Sequence, residues 1–260
     1  LKRVIPHLIS ETQSAFVAKR LITDNILIAQ ENFHALRTNQ RCRSDFMAIK
    51  TDMSKAYERV EWNFLAALML KMGFDERLVD LIMCCVTSVT YQVLVNGQPR
   101  GRILPKRGLR QGAPLSPFLF ILCTEALISL LNGAEAEKKI LGIRVARASP
   151  RISHLLFADD SLFFCKAELS QCKEIMDILD IYGKASGQRL NASKSSMFFG
   201  NRVEYSRKQD IKDVLGFSLE GGMGMYLGLP EQIGGSKMKV FSFVQDRFNG
   251  RVNNWSSRLL

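Results

Sequence analysis

The four residues Phe157-Ala158-Asp159-Asp160 constrain the fold of this chain more than any others. They stand between two short apolar runs, 152–156 and 162–165, which read as the arms of a β-hairpin. Two adjacent carboxylates at a tight turn between apolar strands repel each other and resist desolvation. The fold must therefore bring a cation to that turn or leave it in open water. The usual cation at such a place is a divalent metal that also holds phosphate oxygens. A third carboxylate would complete the cage, and Asp52, at the end of the strand-like stretch Phe46–Thr51, is the candidate. Taken singly, Asp52 is equally well a strand-end residue, and the acidic pair an ordinary hairpin turn.

Charge indicates the partner. The 260 residues carry a formal net charge of +11, and the excess is clustered. Arg100, Arg102, Lys106, Arg107 and Arg110 fall in one acid-free stretch, and Lys138, Lys139, Arg144, Arg147 and Arg151 in a second. Such clusters suit a polyanion, nucleic acid being the commonest, with a merely solvated basic surface as the alternative. The six cysteines include no CxxC pair and mostly lie in apolar runs, as reduced core thiols of an intracellular protein do. No apolar run reads as long enough to span a membrane: the longest, 118–131, contains Glu125 and reads as a buried helix. The chain opens at Leu1 within a basic helical pattern, so it is expected to be a piece of a larger protein.

The remaining periodicity predicts an α+β fold, with helices backing an antiparallel sheet. Helices are expected over 24–38 (capped by Asp24), 61–72, 76–88, from Ser116-Pro117 into the 130s, 168–185 and 204–214. Strands are expected at Phe46–Thr51, Tyr91–Val95, 143–147, 152–157, 161–165 and 195–199, with Asn96-Gly97 as a hairpin turn and a basic loop over 99–117. A basic amphipathic helix is expected over 236–258.

These motifs carry a resemblance. Ala48-Ile49-Lys50-Thr51-Asp52-Met53-Ser54-Lys55-Ala56-Tyr57, with Val60-Glu61-Trp62 after it, resembles the first catalytic motif of reverse transcriptases from LINE-type (non-LTR) retrotransposons, plant ones especially. Gly108-Leu109-Arg110-Gln111-Gly112-Ala113-Pro114-Leu115-Ser116-Pro117 resembles the motif that shapes their nucleotide and template pocket. Phe157-Ala158-Asp159-Asp160 matches the family's aromatic-Ala-Asp-Asp box. Ser186-Gly187, Leu190-Asn191 and Lys194-Ser195 resemble the next motif, and Tyr226-Leu227-Gly228 the one that contacts the primer. Upstream, Ile9-Ser10, Gln13-Ser14-Ala15-Phe16 and Arg20 resemble a segment of the fingers.

The resemblance implies the palm and partial fingers of a polymerase over 1–235, with the thumb starting at 236–260. It implies RNA-directed DNA synthesis from an RNA template, a DNA primer and dNTPs, with two Mg²⁺ ions (Mn²⁺ as a substitute) on Asp52, Asp159 and Asp160. Tyr57 would sit beneath the incoming sugar and exclude a 2′-hydroxyl, with a core-packed aromatic as the alternative; Gln111 and Gly112 would line the nucleotide and template site. Arg110 and Lys106 would meet phosphates, with a solvated loop as the alternative. Lys194 would protonate the leaving pyrophosphate, with a phosphate-binding or surface lysine as the alternative. Arg20 would contact template or triphosphate, and Tyr226 and Gly228 the primer. Glu58 and Ala113 replace residues that are more often Asp in the family, and neither is a metal ligand in its pattern. The family's finger segment begins further upstream than Leu1. A nuclear location follows from the resemblance alone; no membrane partner is expected, and the oligomeric state is open. An RNA-dependent RNA polymerase, or a silent retroelement remnant that only binds nucleic acid, are the rival readings.

Overall fold

In the computed structural model, residues 1–217, 219–221 and 225–230 are described, with Ser242, Gln245 and 248–250 beyond them. Helices α1 (Ile5–Leu8), α2 (Ile22–Thr38) and α3 (Cys42–Asp45) lead into strand β1 (Phe46–Thr51). Helices α4 (Ala56–Arg59), α5 (Trp62–Lys71) and α6 (Glu76–Thr87) follow, then the hairpin β2 (Tyr91–Val95) and β3 (Gln98–Ile103). The long helix α7 (Ser116–Ala136) precedes the hairpin β4 (His154–Phe157) and β5 (Asp160–Lys166). Helix α8 (Leu169–Ser186), strand β6 (Ser196–Phe199), helix α9 (Tyr205–Leu215) and the short hairpin β7 (Met225–Tyr226) and β8 (Leu229–Pro230) complete the described chain.

Strands β4, β5, β1 and β6 pair in that order, all antiparallel. Alternation along each strand sends successive side chains to opposite faces, and both faces are apolar here. Met47, Ile49, Phe163, Cys165, Met197 and Phe199 join one core with α7 and α8. Phe46, Ala48, Leu162, Phe164 and Phe198 join the other with α2. There Phe33 meets Phe164 and Phe198 edge-on, with ring centroids 6.1 and 5.4 Å apart. The expected α+β architecture is therefore observed, as a sheet covered on both sides.

Several local expectations differ from the structure. Asp24 is not the cap of α2; the helix starts two residues earlier, and the Asp24 carboxylate accepts from Leu21 N–H at 3.4 Å from within the first turn. The stretch 143–147 is not a strand, because only Ile143 bridges back, to Ile152. The basic loop begins later than expected, since β3 continues the Asn96-Gly97 hairpin to Ile103. By length and composition α7 would reach across a bilayer, contrary to the sequence count. It is nonetheless a core helix, packed by Leu119, Ile121, Leu122, Ile128 and Leu131. Its Glu125 accepts from Ser10 N–H and Ser10 Oγ at 3.1 and 2.7 Å. The predicted 236–258 helix and the boundary at 235 lie almost wholly outside the described residues.

His154 in β4 makes stability depend on pH. Ser153 Oγ donates to Glu135 Oε2 at 2.7 Å, which leaves His154 Nδ1, 2.9 Å away, as the donor to Oγ. His154 Nε2 is buried without a partner among the described residues. Burial lowers its pKa from 6.5 to about 4. The unfolded chain thus binds more protons between those values, so this contribution to stability is complete above pH 6.5 and declines towards pH 4. The decline amounts to about 3 kcal/mol. Denaturant unfolding near neutral and near pH 4.5 should show a smaller acid loss for His154→Gln than for wild type; equal losses would exclude this histidine as the cause.

Candidate active site

The strand register brings the carboxylates together. On β1 and β5, Thr51 lies opposite Ser161 and Lys50 opposite Leu162. Asp52 directly follows Thr51 and Asp160 directly precedes Ser161, so both carboxylates stand at the same end of the sheet. On β4 and β5, Phe157 pairs with Asp160, so Ala158 and Asp159 form a two-residue turn. On the other side of β1, Lys50 faces Ser196, and the chain at Ser195 and Lys194 continues toward Asp52. Asp52 itself is fixed from both ends. Its N–H donates to Ser195 Oγ at 3.4 Å, its carbonyl accepts from Asn191 N–H at 2.8 Å, and its Oδ2 accepts from Asn191 Nδ2 at 3.2 Å.

Electrostatics reports the same convergence. Burial first, then the repulsion of Asp52, raises the Asp159 pKa, against the pull of its own backbone hydrogen bond and of Lys194. Burial, Asp159 and Asp52 raise that of Asp160, against the pull of Lys50. All three aspartates are half-buried. Among the described residues, no group of three or more His, Cys, Asp or Glu side chains is gathered closely enough to hold a metal ion. The three aspartates form an open, mutually repelling set of hard oxygen donors, which is the donor chemistry that Mg²⁺ or Mn²⁺ takes.

Tyr57, in α4, is half-buried and stacks on Phe120 with centroids 4.6 Å apart and planes 12° from parallel. Burial, then the charge of Asp159, pushes its hydroxyl up to about 12, which places the phenol beside the acidic turn. The loop after β3 docks on α4 through its backbone. Leu109 N–H donates to Tyr57 carbonyl at 2.7 Å, Gly108 N–H to Val60 carbonyl at 2.8 Å, and Trp62 Nε1 to Gly108 carbonyl at 2.8 Å. Gly108 has φ +92°, and a Cβ there would stand 2.7 Å from Glu58 carbonyl oxygen. Gly108→Ala should therefore lower the unfolding free energy by about 2–4 kcal/mol in denaturant titrations, and a change under 1 kcal/mol would contradict this docking. Beyond it, Arg110 and Gln111 border a cavity of about 460 Å³ shared with Glu58, Tyr91 and Ile103. Gly112 also lies in the left-handed region, at φ +81°, but no protein atom comes within 4 Å of its Cβ direction.

Not every candidate joins this centre. Asp52, Asp159, Asp160, Tyr57 and Lys194 converge; Lys106, Arg110, Gln111 and Gly112 sit on the neighbouring loop. The Arg20 guanidinium is committed to the protein, donating to the carbonyls of Ile9, Ser10 and Gln13 at 2.6–2.8 Å. Tyr226 is 2% exposed. Its hydroxyl donates to Asn25 Oδ1 at 2.8 Å, and Asn25 Nδ2 donates to Leu156 carbonyl at 2.9 Å. Gly228 is half-exposed at the tip of the same β7–β8 hairpin.

Sequence reasoning assigned no role to three residues that shape this site. Lys50 eases the charge of Asp160 and reaches the carbonyl of Met225. Asn25 ties Tyr226 to β4. Gln13, fully buried, accepts from Ala158 N–H at 3.1 Å and from Ala15 N–H at 2.9 Å through Oε1, while its Nε2 donates to Thr124 Oγ1 at 3.2 Å. It thereby holds the turn residue Ala158, whose φ of +55° is costly for a residue with a Cβ. A buried amide in a short irregular segment leaves no periodic signal.

A family model described as reverse transcriptase (RNA-dependent DNA polymerase) matches residues 1–219. The chain belongs to this reverse transcriptase family. An uncharacterized mitochondrial protein of Arabidopsis thaliana is 59% identical over 26% of the chain and 56% of its own length. The transposon TX1 149 kDa protein of Xenopus laevis is 28% identical over 75% of the chain and 14% of its own length. The Pol polyprotein from the type-1 retrotransposable element R2 of Popillia japonica is 26% identical over 62% of the chain and 25% of its own length. The chain thus spans between about a seventh and just over half of these relatives, and the kinship with retrotransposon reverse transcriptases holds. Telomerase from Candida tropicalis, solved in complex with a fragment of telomeric RNA, superposes with a TM-score of 0.56 at 14% identity, over 84% of the chain and 32% of its own. That likeness concerns the fold alone, the mixed helices and antiparallel sheet of a polymerase.

Proposed function

We propose that this reverse transcriptase domain adds deoxynucleotides to a primer 3′-end on an RNA template, in the manner of a non-LTR retrotransposon enzyme. The observation that carries the reading is the β1–β5 register ending at Thr51 and Ser161, which sets Asp52 and Asp160 at one end of the sheet, with Asp159 at the adjoining turn. These three carboxylates would hold two Mg²⁺ ions, or Mn²⁺ in their place. Bound there, the ions would supply activation of the 3′-hydroxyl and neutralisation of the pyrophosphate.

The chain's own residues supply the rest. The Tyr57 ring, braced by Phe120, forms a flat apolar floor that a deoxyribose tolerates and a 2′-hydroxyl does not. Lys194, exposed and within the field of Asp159, is the proton donor for the leaving pyrophosphate. Gln111 and Gly112 border template and nucleotide, and Arg110 and Lys106 meet phosphates. Gly228 is the part of its hairpin that a primer reaches. Arg20 acts on this site through the loop it clamps.

Sugar selection tests the proposal against an RNA polymerase. On an RNA template the wild type should prefer dNTPs over rNTPs by at least about a hundredfold in kcat/KM, and Tyr57→Val should reduce that preference about tenfold or more by admitting rNTPs. Equal use of both sugars by the wild type would overturn the deoxynucleotide assignment.

A further inference from the structure

The second basic stretch is not absorbed by this centre. Lys139 is neutralised, with Nζ 2.8 Å from Glu137 and 3.8 Å from Glu174. The three arginines after it are not. Arg144, Arg147 and Arg151 join Arg41 around a pocket of about 380 Å³ between the α2–α3 junction and the segment 143–152. All four are exposed, and among the described residues none is in an ion pair. Cys42, Phe46 and Val145 line the interior.

The pocket is built rather than incidental. Ile143 and Ile152 exchange two backbone hydrogen bonds of 2.9 Å. Asn39 Nδ2 donates to Val145 carbonyl at 3.2 Å, and Arg151 Nη1 to Gly142 carbonyl at 3.2 Å. The Ser149 hydroxyl closes the tip by donating to Ala146 carbonyl at 2.9 Å. No acid among the described residues lines the pocket, and at the Cys42 thiol the influence of Asp45 is weaker than that of Arg41. Four like charges held around one cavity repel each other, and planar guanidinium forks match phosphate oxygens in pairs. At about 380 Å³ the cavity has the volume of roughly one nucleotide unit and not of a duplex segment. Phe46 begins β1 and Asp52 follows its end, so the pocket and the carboxylates lie roughly 20 Å apart along the strand.

We infer that the Arg41, Arg144, Arg147 and Arg151 pocket is a second nucleic-acid site, which grips the phosphate backbone of a single strand at the end of the palm sheet away from the aspartates. The inference rests on the reading that this domain works on nucleic acid. It predicts that bound strand extends past the polymerising centre to the far end of β1.

Fluorescence anisotropy with labelled 20-mer RNA and DNA oligonucleotides tests it, using the full protein and a variant combining Arg144→Ala, Arg147→Ala and Arg151→Ala. Loss of three phosphate contacts should weaken binding of at least one oligonucleotide about tenfold or more, and reduce the log–log salt slope by about 2. The oligonucleotide that loses affinity identifies the strand held. A single Arg147→Glu change, at the exposed tip, should weaken binding in the same direction if the triple variant folds poorly, and Lys139→Ala should leave it unaltered. Wild-type binding that neither arginine variant weakens would overturn the pocket alone. Absence of any salt-dependent binding by the wild type would overturn the nucleic-acid reading with it.

Discussion

Replacing Asp52 by Asn will lower the single-turnover rate of deoxynucleotide addition by at least about 10³-fold, because one hard anionic ligand is lost while the shape is kept. The amide oxygen can still accept from Asn191 Nδ2, and Asp52 N–H and carbonyl retain their bonds to Ser195 and Asn191. The same change will raise stability, by about 0.5–1 kcal/mol, since the Asp52 charge acts against both Asp159 and Asp160. RNA affinity should change less than about threefold, because basic residues supply it. This opposition between stability and rate separates a reacting group from a structural one. A variant that loses stability and activity together would mark Asp52 as a strand-end residue only.

The second large effect concerns Gln13, which never touches the reacting atoms. Gln13→Ala leaves the N–H groups of Ala15 and Ala158 without their acceptor in a buried setting. Each stranded donor costs about 1–3 kcal/mol, so stability should fall by about 3–5 kcal/mol in all. The turn has a further tie, because Leu156 N–H donates to Thr12 carbonyl and Ser14 N–H to Leu156 carbonyl. The hairpin will therefore stay in place while Ala158 and Asp159 lose their fixed orientation. Displacements of this size lower rates by about 10- to 100-fold. Hydrogen exchange at the Ala158 amide provides the separate readout. Faster exchange there, with the β5 amides still protected, is the expected result; unchanged protection would remove Gln13 from the positioning of the aspartates.

These two residues mark what was legible in the sequence. The elements flanking the acidic turn were readable because each carries local signals: Asn96-Gly97 for its hairpin, Pro117 for the start of α7, Gly187 for the end of α8. The three aspartates were readable as chemistry, because clustered carboxylates call for a cation. Their placement at one end of the sheet was not, since it depends on pairing strands far apart in the chain, and a one-residue slip would turn Asp52 to the other face. Buried polar partners were the least legible. Gln13 stands in a segment without periodicity and Asn25 is a polar residue on the buried face of α2, and their partners at Ala158, Thr124 and Leu156 come from elements more than a hundred residues downstream. Tyr226 shows the converse: its motif was readable, but its ring serves the packing beneath β4. The failed strand at 143–147 has a similar origin, because the carbonyls of Arg144 and Val145 accept from the Cys42 and Asn39 side chains rather than from a neighbouring strand.

The most direct measurement is primer extension on an RNA template by the full protein carrying this domain, with dNTPs and a titration of Mg²⁺. DNA synthesis that rises with the metal, vanishes on chelation and is restored by Mn²⁺ is the predicted result. Tight RNA binding with no extension of the primer at any divalent-ion concentration would contradict it, and would leave a nucleic-acid-binding palm whose aspartates no longer work.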